Sequence, residues 1–499
     1  MSKKKTLEEL LKEVMVPESE QFYLIPNNWS WVKIGYISDV VGGGTPKSTV
    51  SEYYAHGDIP WITPADLSGY EDIYISRGKR NITAEGLNNS SARLMPKDTI
   101  LFSSRAPIGY VAIASNELCT NQGFKSFLPS KAYITRYGYW YLKFAKSFVE
   151  KLASGTTFPE ISSSKAAKIP FPLPPLPEQK RIVERVESLL GRAEELKQLI
   201  DQTKIKTIQR RTSVLAKVFR GQLTEEWRRR NNCTETADDF LEYIQKEKKA
   251  SNSKKKAKGK KDSLSVFNEP YKLPEGWKWI QLAEIIESST YGTSAKTNDS
   301  NDGIPVLRMG NIKAGEIITE NLKYLPNEHP DIQTLTLEEN DLLFNRTNSY
   351  ELVGKTGIVR KEIAGKMTFA SYLVRIRLYQ KDLLAPYVCA YINSNEGRKL
   401  LLAGATQQVG QANINPTKLS YLPIPLPPQK ELQVILTRIS RLDKLEKEFG
   451  QLLKMDNNIE TLKAAILNKA FRGELGTNNL EEESALELLK EVLQEQLNQ

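Results

Sequence analysis

The residues that could do chemistry come in clusters, and their spacing limits what that chemistry is. Gly42-Gly43-Gly44-Thr45-Pro46-Lys47-Ser48 puts glycines, hydroxyls and a lysine into one short stretch. Those residue types cradle phosphates, but a Walker A loop needs GxxxxGK[ST] and the stretch lacks that spacing. Gly354-Lys355-Thr356 has the right ending, yet Ser349 stands where the first glycine is required. No convincing GxGxxG joins a strand to a helix. No Asn/Asp-Pro-Pro-aromatic tetrad of the kind amino-methyltransferases use on a flipped base occurs. Cys119, Cys233 and Cys389 lie far apart without CxxC or other metal spacing, so neither a disulfide framework nor a metal site is expected. His56 and His329 are the two histidines of the chain, which argues against a histidine-driven hydrolase. Carboxylates are many, but nothing singles out a pair. These patterns favour a binding or scaffolding role over catalysis.

The elements that must position such residues are written twice. Trp29 and Trp31 recur as Trp277 and Trp279, at an offset of 248. Ile59-Pro60-Trp61-Ile62 recurs as Ile304-Pro305-Val306-Leu307, and Asp98–Phe102 as Asp341–Phe344. Both halves reach a proline-rich strip ending in Gln-Lys, at 169–180 and 422–430. Both close on one phrase, Phe219-Arg220-Gly221-Gln222-Leu223 and Phe471-Arg472-Gly473-Glu474-Leu475. Five matches in the same order are an internal repeat. The repeat is also circular, since a short amphipathic segment follows each phrase, at 237–244 and 485–492. The C-terminal segment with residues 1–28 then stands for the path from the first such segment to Trp277, so the two ends are expected near each other.

Proline is tolerated in the first turn of a helix and not beyond it, so the strips mark helix starts. Ile182, Val186, Leu189, Ala193, Leu196 and Ile200 follow at alternating spacings of 4 and 3, a coiled-coil seam. Leu432, Ile435, Ile439, Leu442 and Leu445 repeat it in the second half, and both patterns run on to Phe219 and Phe471. Two helices of about 42 residues, or roughly 63 Å, need partners and suit each other. The repeat favours an antiparallel pair, with one globular unit at each end of a rod. The expected fold class is α+β. Two mixed α/β globular domains are joined by two long helices in an antiparallel coiled coil, with a pseudo-twofold circular repeat. The segments are 1–20 (helical), 21–176 (globular), 177–223 (long helix), 224–268 (short helix and linker), 269–427 (globular), 428–475 (long helix) and 476–499 (helical tail). The Trp pairs are expected in the cores, and Phe219 and Phe471 as helix-end packing.

The net charge is +10 on 499 residues, which invites a nucleic-acid partner. Its location narrows that reading. Residues 246–262 hold nine lysines against Glu247 and Asp262, a run without apolar period that reads as a disordered linker. Residues 269–427 balance 17 basic against 17 acidic side chains. No apolar run is long enough for a membrane span, and the N-terminal lysines precede no apolar signal region. No membrane partner and a cytoplasmic location are expected.

The doubled layout, the phrase GGGTPKSTVSEYYAHGDIPWITPADLSG (42–69), the PLPPLPEQKRIV strip (172–183) and the repeated FRG ends resemble the specificity (S) subunits of type I restriction-modification systems. The resemblance covers nearly the whole chain. The second half departs from it at Tyr291-Gly292-Thr293-Ser294, where the GGGTP phrase is missing. The resemblance implies two target recognition domains that read the halves of a split, asymmetric double-stranded DNA target. It implies helices that set the gap and dock two methylation (M) subunits, and further restriction (R) subunits. S-adenosylmethionine, ATP and Mg would belong to those partners, and this chain would hold no cofactor and no catalytic residue. The candidate DNA-binding residues of the first unit are Thr45, Lys47, Ser48, Trp61, Thr63, Ser103, Ser104, Arg105, Thr157 and Phe158. Those of the second are Thr293, Lys296, Arg308, Asn311, Asn345, Arg346, Asn348, Gln407, Gln408 and Asn413. The competing reading is a coiled-coil scaffold whose globular domains bind proteins.

Overall fold

The computed structural model describes residues 5–155, 159–231, 234–252, 269–313, 315–403, 406–408, 411–453 and 456–498. Thr157, Phe158 and most of the lysine run lie outside them. The chain divides into two compact units, Met1–Ile200 with Lys454–Gln499, and Asp201–Leu453.

In the first unit, a five-stranded sheet runs in the order Val40–Gly42, Lys125–Phe127, Ile100–Phe102, Val111–Ala114, Tyr74–Ile75. A three-stranded sheet beside it orders Arg80–Ile82, Ile59–Ile62 and Cys119–Thr120, the last two parallel. The second unit repeats this plan. Its larger sheet orders Ile286–Tyr291, Leu373–Leu378, Leu342–Asn345, Thr356–Ile358. Its smaller one orders Lys323–Leu325, Ile304–Leu307, Thr368–Phe369, again with the last two parallel.

The proline strips do more than start helices. Pro170–Leu173 is a strand, paired antiparallel with Ser30–Lys33, and Pro423–Leu426 pairs the same way with Lys278–Gln281. Proline is acceptable in such two-stranded pairs because one edge needs no donor. The free carbonyls find buried tyrosines instead. Tyr137 donates to the Pro172 carbonyl at 2.7 Å, Tyr141 donates to that of Pro170, and Tyr387 donates to that of Pro425 at 2.5 Å.

The helix Leu176–Phe219 is continuous. Gln429–Leu453 and Asp456–Phe471 make up the second helical stretch. In the first unit Lys463 bonds Glu194 at 2.8 Å and Lys197 lies 3.9 Å from Glu460, so the helices run antiparallel there. In the second unit Arg211 reaches Asp443 at 2.7 Å and Glu446 at 2.6 Å, while Arg438 donates to the Leu223 carbonyl, which is again antiparallel. The seam is buried toward the globular parts, at Ile182, Val186, Ala193, Leu215, Leu432, Ile435 and Ile439. Leu196, Leu199, Ile205 and Ile208, by contrast, are exposed.

The circular character of the repeat is plain within the units. Phe471 packs on Tyr137, Tyr141 and Phe144 of the first unit. Phe219 packs on Tyr387 and Tyr391 of the second. The following glycines, Gly221 and Gly473, have φ of 66° and 73°, the left-handed turn that ends a helix. A Cβ at either would strike Pro274 or Pro26. Helix Ala237–Asn252 joins the second unit through the Ala237 amide and the Gly276 carbonyl, 2.8 Å apart. Helix Ala485–Asn498 joins the first through the Ala485 amide and the Asn28 carbonyl, 3.0 Å apart. Both chain ends therefore belong to the first unit.

Candidate nucleic-acid interface

Each unit is fastened to its helix by a buried tryptophan–glutamate bond. Trp29 Nε1 donates to Glu178 at 2.7 Å, and Trp277 Nε1 donates to Glu431 at 2.9 Å. The second tryptophan of each pair donates to the carbonyl of Tyr23 or Tyr271. The carboxylates differ in their other partners. Glu431 accepts Thr224 at 2.5 Å and forms an ion pair with Arg228. Among the described residues Glu178 Oε1 is buried without a hydrogen-bond partner, and Arg181 is turned to Glu482 at 2.7 Å. Burial lifts the Glu178 carboxyl above the ordinary carboxylate range, against the Trp29 bond and the Arg181 charge, which lower it.

A raised folded pKa means that the folded chain holds this proton more tightly than the unfolded chain. Stability from Glu178 is therefore greatest below its unfolded pKa of about 4.3 and declines as pH rises through the folded value. Glu178→Gln keeps an oxygen for Trp29 and removes the charge. We expect the variant to lose that decline, shown as a Tm above that of the parent chain at neutral pH and equal to it in acid. A Tm below the parent's at neutral pH would contradict this.

The loops that leave the sheets are held by matching backbone bonds. The Gly43 amide donates to the Phe124 carbonyl and that of Gly44 to Thr120, as Gly292 does to Leu373 and Thr293 to Phe369. A Cβ on Gly43 or Gly292 would meet the carbonyl of Asn121 or Phe369 at 1.8 or 2.3 Å. Both glycines are thus required by close approach, and the missing GGGTP phrase leaves the loop itself intact. After the central strand of each smaller sheet, Thr63 caps with Asp66, and Arg308 caps with Asn311. The Ser104 carbonyl accepts the Ile161 amide at 3.0 Å, as Arg346 accepts Ile414 at 2.9 Å.

In the first unit the structure gathers Thr45, Trp61 and Thr63. Thr45 is exposed and bonds Gln122, and Lys47 and Ser48 are exposed on the same loop. Trp61 is buried with Nε1 donating to Gly44, and Thr63 is tied to Asp66 at 2.7 Å. Ser103 and Ser104 are fully buried, donating to the Pro107 and Gly123 carbonyls. Arg105 is half-exposed and 3.4 Å from Glu160, which also lies 3.9 Å from Lys125. Burial lowers the pKa of that lysine.

In the second unit Thr293, Arg308 and Asn311 line one cleft of about 630 Å³ with Lys313, Asn321 and Tyr372. Thr293 is buried and donates to Asp331, and Asn311 is buried and donates to the Ile318 and Glu320 carbonyls. Asn345 is buried, with Oδ1 unpartnered among the described residues. Lys296 is exposed and does not line the cleft. Beside the cleft, Thr347–Asn348, Gln411–Asn413 and Thr406–Gln408 form a three-stranded sheet carrying Asn348, Asn413, Gln407 and Gln408. Arg346 precedes it, and its amide donates to the Tyr372 carbonyl at 3.1 Å. Two exposed aromatics absent from the candidates border the same area, Tyr291 and Tyr372. Among the described residues no cluster of His, Cys, Asp and Glu could hold a metal ion, and no helix is long and apolar enough to cross a membrane.

The comparisons with known proteins agree with this doubled plan. The family model described as type I restriction modification DNA specificity domain matches twice, at residues 26–205 and 274–455. The chain is 25% identical to the EcoKI specificity subunit of Escherichia coli K12, over 90% of each chain. It is 33% identical to the MjaIX specificity subunit of Methanocaldococcus jannaschii, over 59% of this chain and 60% of that one. Its fold is similar to the crystal structure of the HsdS subunit from Thermoanaerobacter tengcongensis, at TM-score 0.55 and 18% identity, covering 91% of this chain and all of the other.

Proposed function

The chain belongs to the DNA specificity subunits of type I restriction-modification systems, which are non-catalytic, and from that premise we propose how this one selects its target. Residues 21–176 and 269–427 each read one half of a split, asymmetric double-stranded DNA sequence. The long helices fix the gap between the halves and dock two M subunits, whose S-adenosylmethionine methylates an adenine in each half. R subunits add ATP- and Mg-dependent cleavage.

The observation that carries the reading is a shared frame with different loop residues. The tryptophan, glycine and capping bonds recur in both units. At equivalent backbone positions, however, the side chains are Thr63 and Arg308, Asp66 and Asn311, Ser104 and Arg346. One frame with two sets of side chains reads two different half-sites, where a homodimer would read a palindrome. Exposed Thr45, Lys47 and Ser48, half-exposed Arg105, and the cleft and amide sheet of the second unit supply the contacts. Buried Trp61, Ser103, Ser104, Thr293, Asn311 and Asn345 hold the loops that present them. Neutral residues 269–427 predict weak, salt-sensitive binding by the isolated chain, with much of the phosphate grip supplied by M subunits.

The test is selection from a random DNA pool by the complex reconstituted with M subunits. Enrichment of a two-part motif is expected. No enrichment would favour a protein-binding scaffold, and methyl transfer by the chain alone would overturn the non-catalytic assignment.

A further inference from the structure

The six arginines of residues 269–427 differ in what their terminal nitrogens do. Arg377 grips Asp341 through Nε and Nη2, both at 2.8 Å, and reaches Glu338 through Nη1. Arg375 Nη1 donates to the Thr336 carbonyl at 2.8 Å, and Arg308 Nη2 donates to that of Asn321 at 2.7 Å. Arg398 Nη2 donates to the Glu351 carbonyl at 3.1 Å, and Arg360 Nη2 lies 3.5 Å from Glu316. Arg346 differs from all five. Among the described residues, neither of its Nη atoms has a protein acceptor.

Its guanidinium is nevertheless held. The central carbon lies 5.0 Å from the centroid of the Tyr291 ring, and Nε donates to Thr347 Oγ1 at 3.2 Å. The backbone is pinned on both sides, the amide to the Tyr372 carbonyl and the carbonyl to the Ile414 amide. Stacking and the Nε bond fix the plane and direction of the side chain before any ligand arrives, which reduces the entropy lost on binding. Two coplanar N–H donors, fixed in direction and without an acceptor among the described residues, match two acceptors side by side.

Guanine offers such a pair in the major groove, O6 and N7. A phosphate also offers two oxygens, so the neighbours decide between them. The adjoining sheet carries Asn348, Gln411 and Asn413 and has no lysine or arginine on its strands. Amides read base edges, adenine above all, whereas a phosphate grip gathers cations. We propose that Arg346 reads a guanine in the half-site engaged by residues 269–427, through paired bonds to O6 and N7, with Tyr291 holding the guanidinium plane. The assignment rests on the target-reading function proposed above. It belongs to the second unit only, because the equivalent residue of the first is Ser104, buried and bonded to the Gly123 carbonyl.

The test compares the parent chain, Arg346→Gln, Arg346→Lys and Tyr291→Ala, each assembled with M subunits and presented with a randomised DNA pool. The parent complex should enrich a two-part motif with a G·C pair in the half-site read by residues 269–427. Arg346→Gln should lower the preference for guanine at one position by about 10- to 100-fold, with all other positions unchanged. Arg346→Lys should lose most of the same preference, since a point donor does not replace a fork. Tyr291→Ala should weaken it in part. A half-site without a guanine that depends on Arg346 overturns the assignment. So does a uniform loss across sequences with the salt slope reduced by about one, which marks a phosphate contact. A general loss in both Arg346 variants marks a structural role and overturns it as well. A parent complex that enriches no motif overturns the proposed function itself, a result distinct from the others.

Discussion

Removing one facing heptad from each long helix should move the preferred gap between half-sites while leaving the half-sites unchanged. A heptad keeps the seam in phase and shortens the helix by about 10 Å at ~1.5 Å per residue. That is about three base pairs at ~3.4 Å per step. Residues around Arg211 and its partners Asp443 and Glu446 are a suitable place, because they face each other directly. Three base pairs are also nearly a third of a DNA turn, so at the native gap the second half-site faces the wrong way. Methylation at the native gap should fall by about 10³-fold, the scale on which specific binding exceeds nonspecific. Initial rates on duplexes whose gaps are shortened in single steps provide the check. An unchanged best gap would contradict the ruler.

The second large effect is expected at Glu431. This fully buried carboxylate is the shared partner of Trp277, Thr224 and Arg228. Glu431→Ala leaves an indole N–H and a hydroxyl in the interior, and a part-buried arginine charge, without it. Breaking a buried pair in this way costs about 3–5 kcal/mol. Amides of residues 277–281, Ile424 and Leu426 should lose about two to three and a half decades of hydrogen-exchange protection. Those of residues 30–33, Phe171 and Leu173 in the other unit should change little. A loss under about 1 kcal/mol would show that Glu431 is not the fastening point.

Much of the frame was legible because it is periodic or repeated. Trp29, Trp31, Trp277 and Trp279 are buried, and Phe219 and Phe471 pack at the helix ends, as their recurrence suggested. The proline strips and the apolar seam place the long helices. Other features depend on partners distant in sequence. The strand Pro170–Leu173 exists because Ser30–Lys33 lies beside it, and nothing local in a proline strip announces a strand. Ser103 and Ser104 look like loop hydroxyls, yet the Pro107 and Gly123 carbonyls draw them inside. The amide sheet has strands of two or three residues with no apolar alternation, so no period marks it. Tyr291 and Tyr372 were missed because a lone tyrosine beside glycine or serine carries no pattern. Their meaning comes from Arg346 on one ring and the cleft beside the other. The net charge of +10 now carries less of the argument, since most of it sits in the lysine run.

The central claim is that one chain selects both halves of a split target. The most direct measurement is a genome-wide map of N6-methyladenine in cells expressing this chain with M subunits. The account predicts one asymmetric two-part motif, with a methylated adenine in each half and a single fixed gap. A palindromic or uninterrupted motif, or the same methylation without this chain, would contradict it.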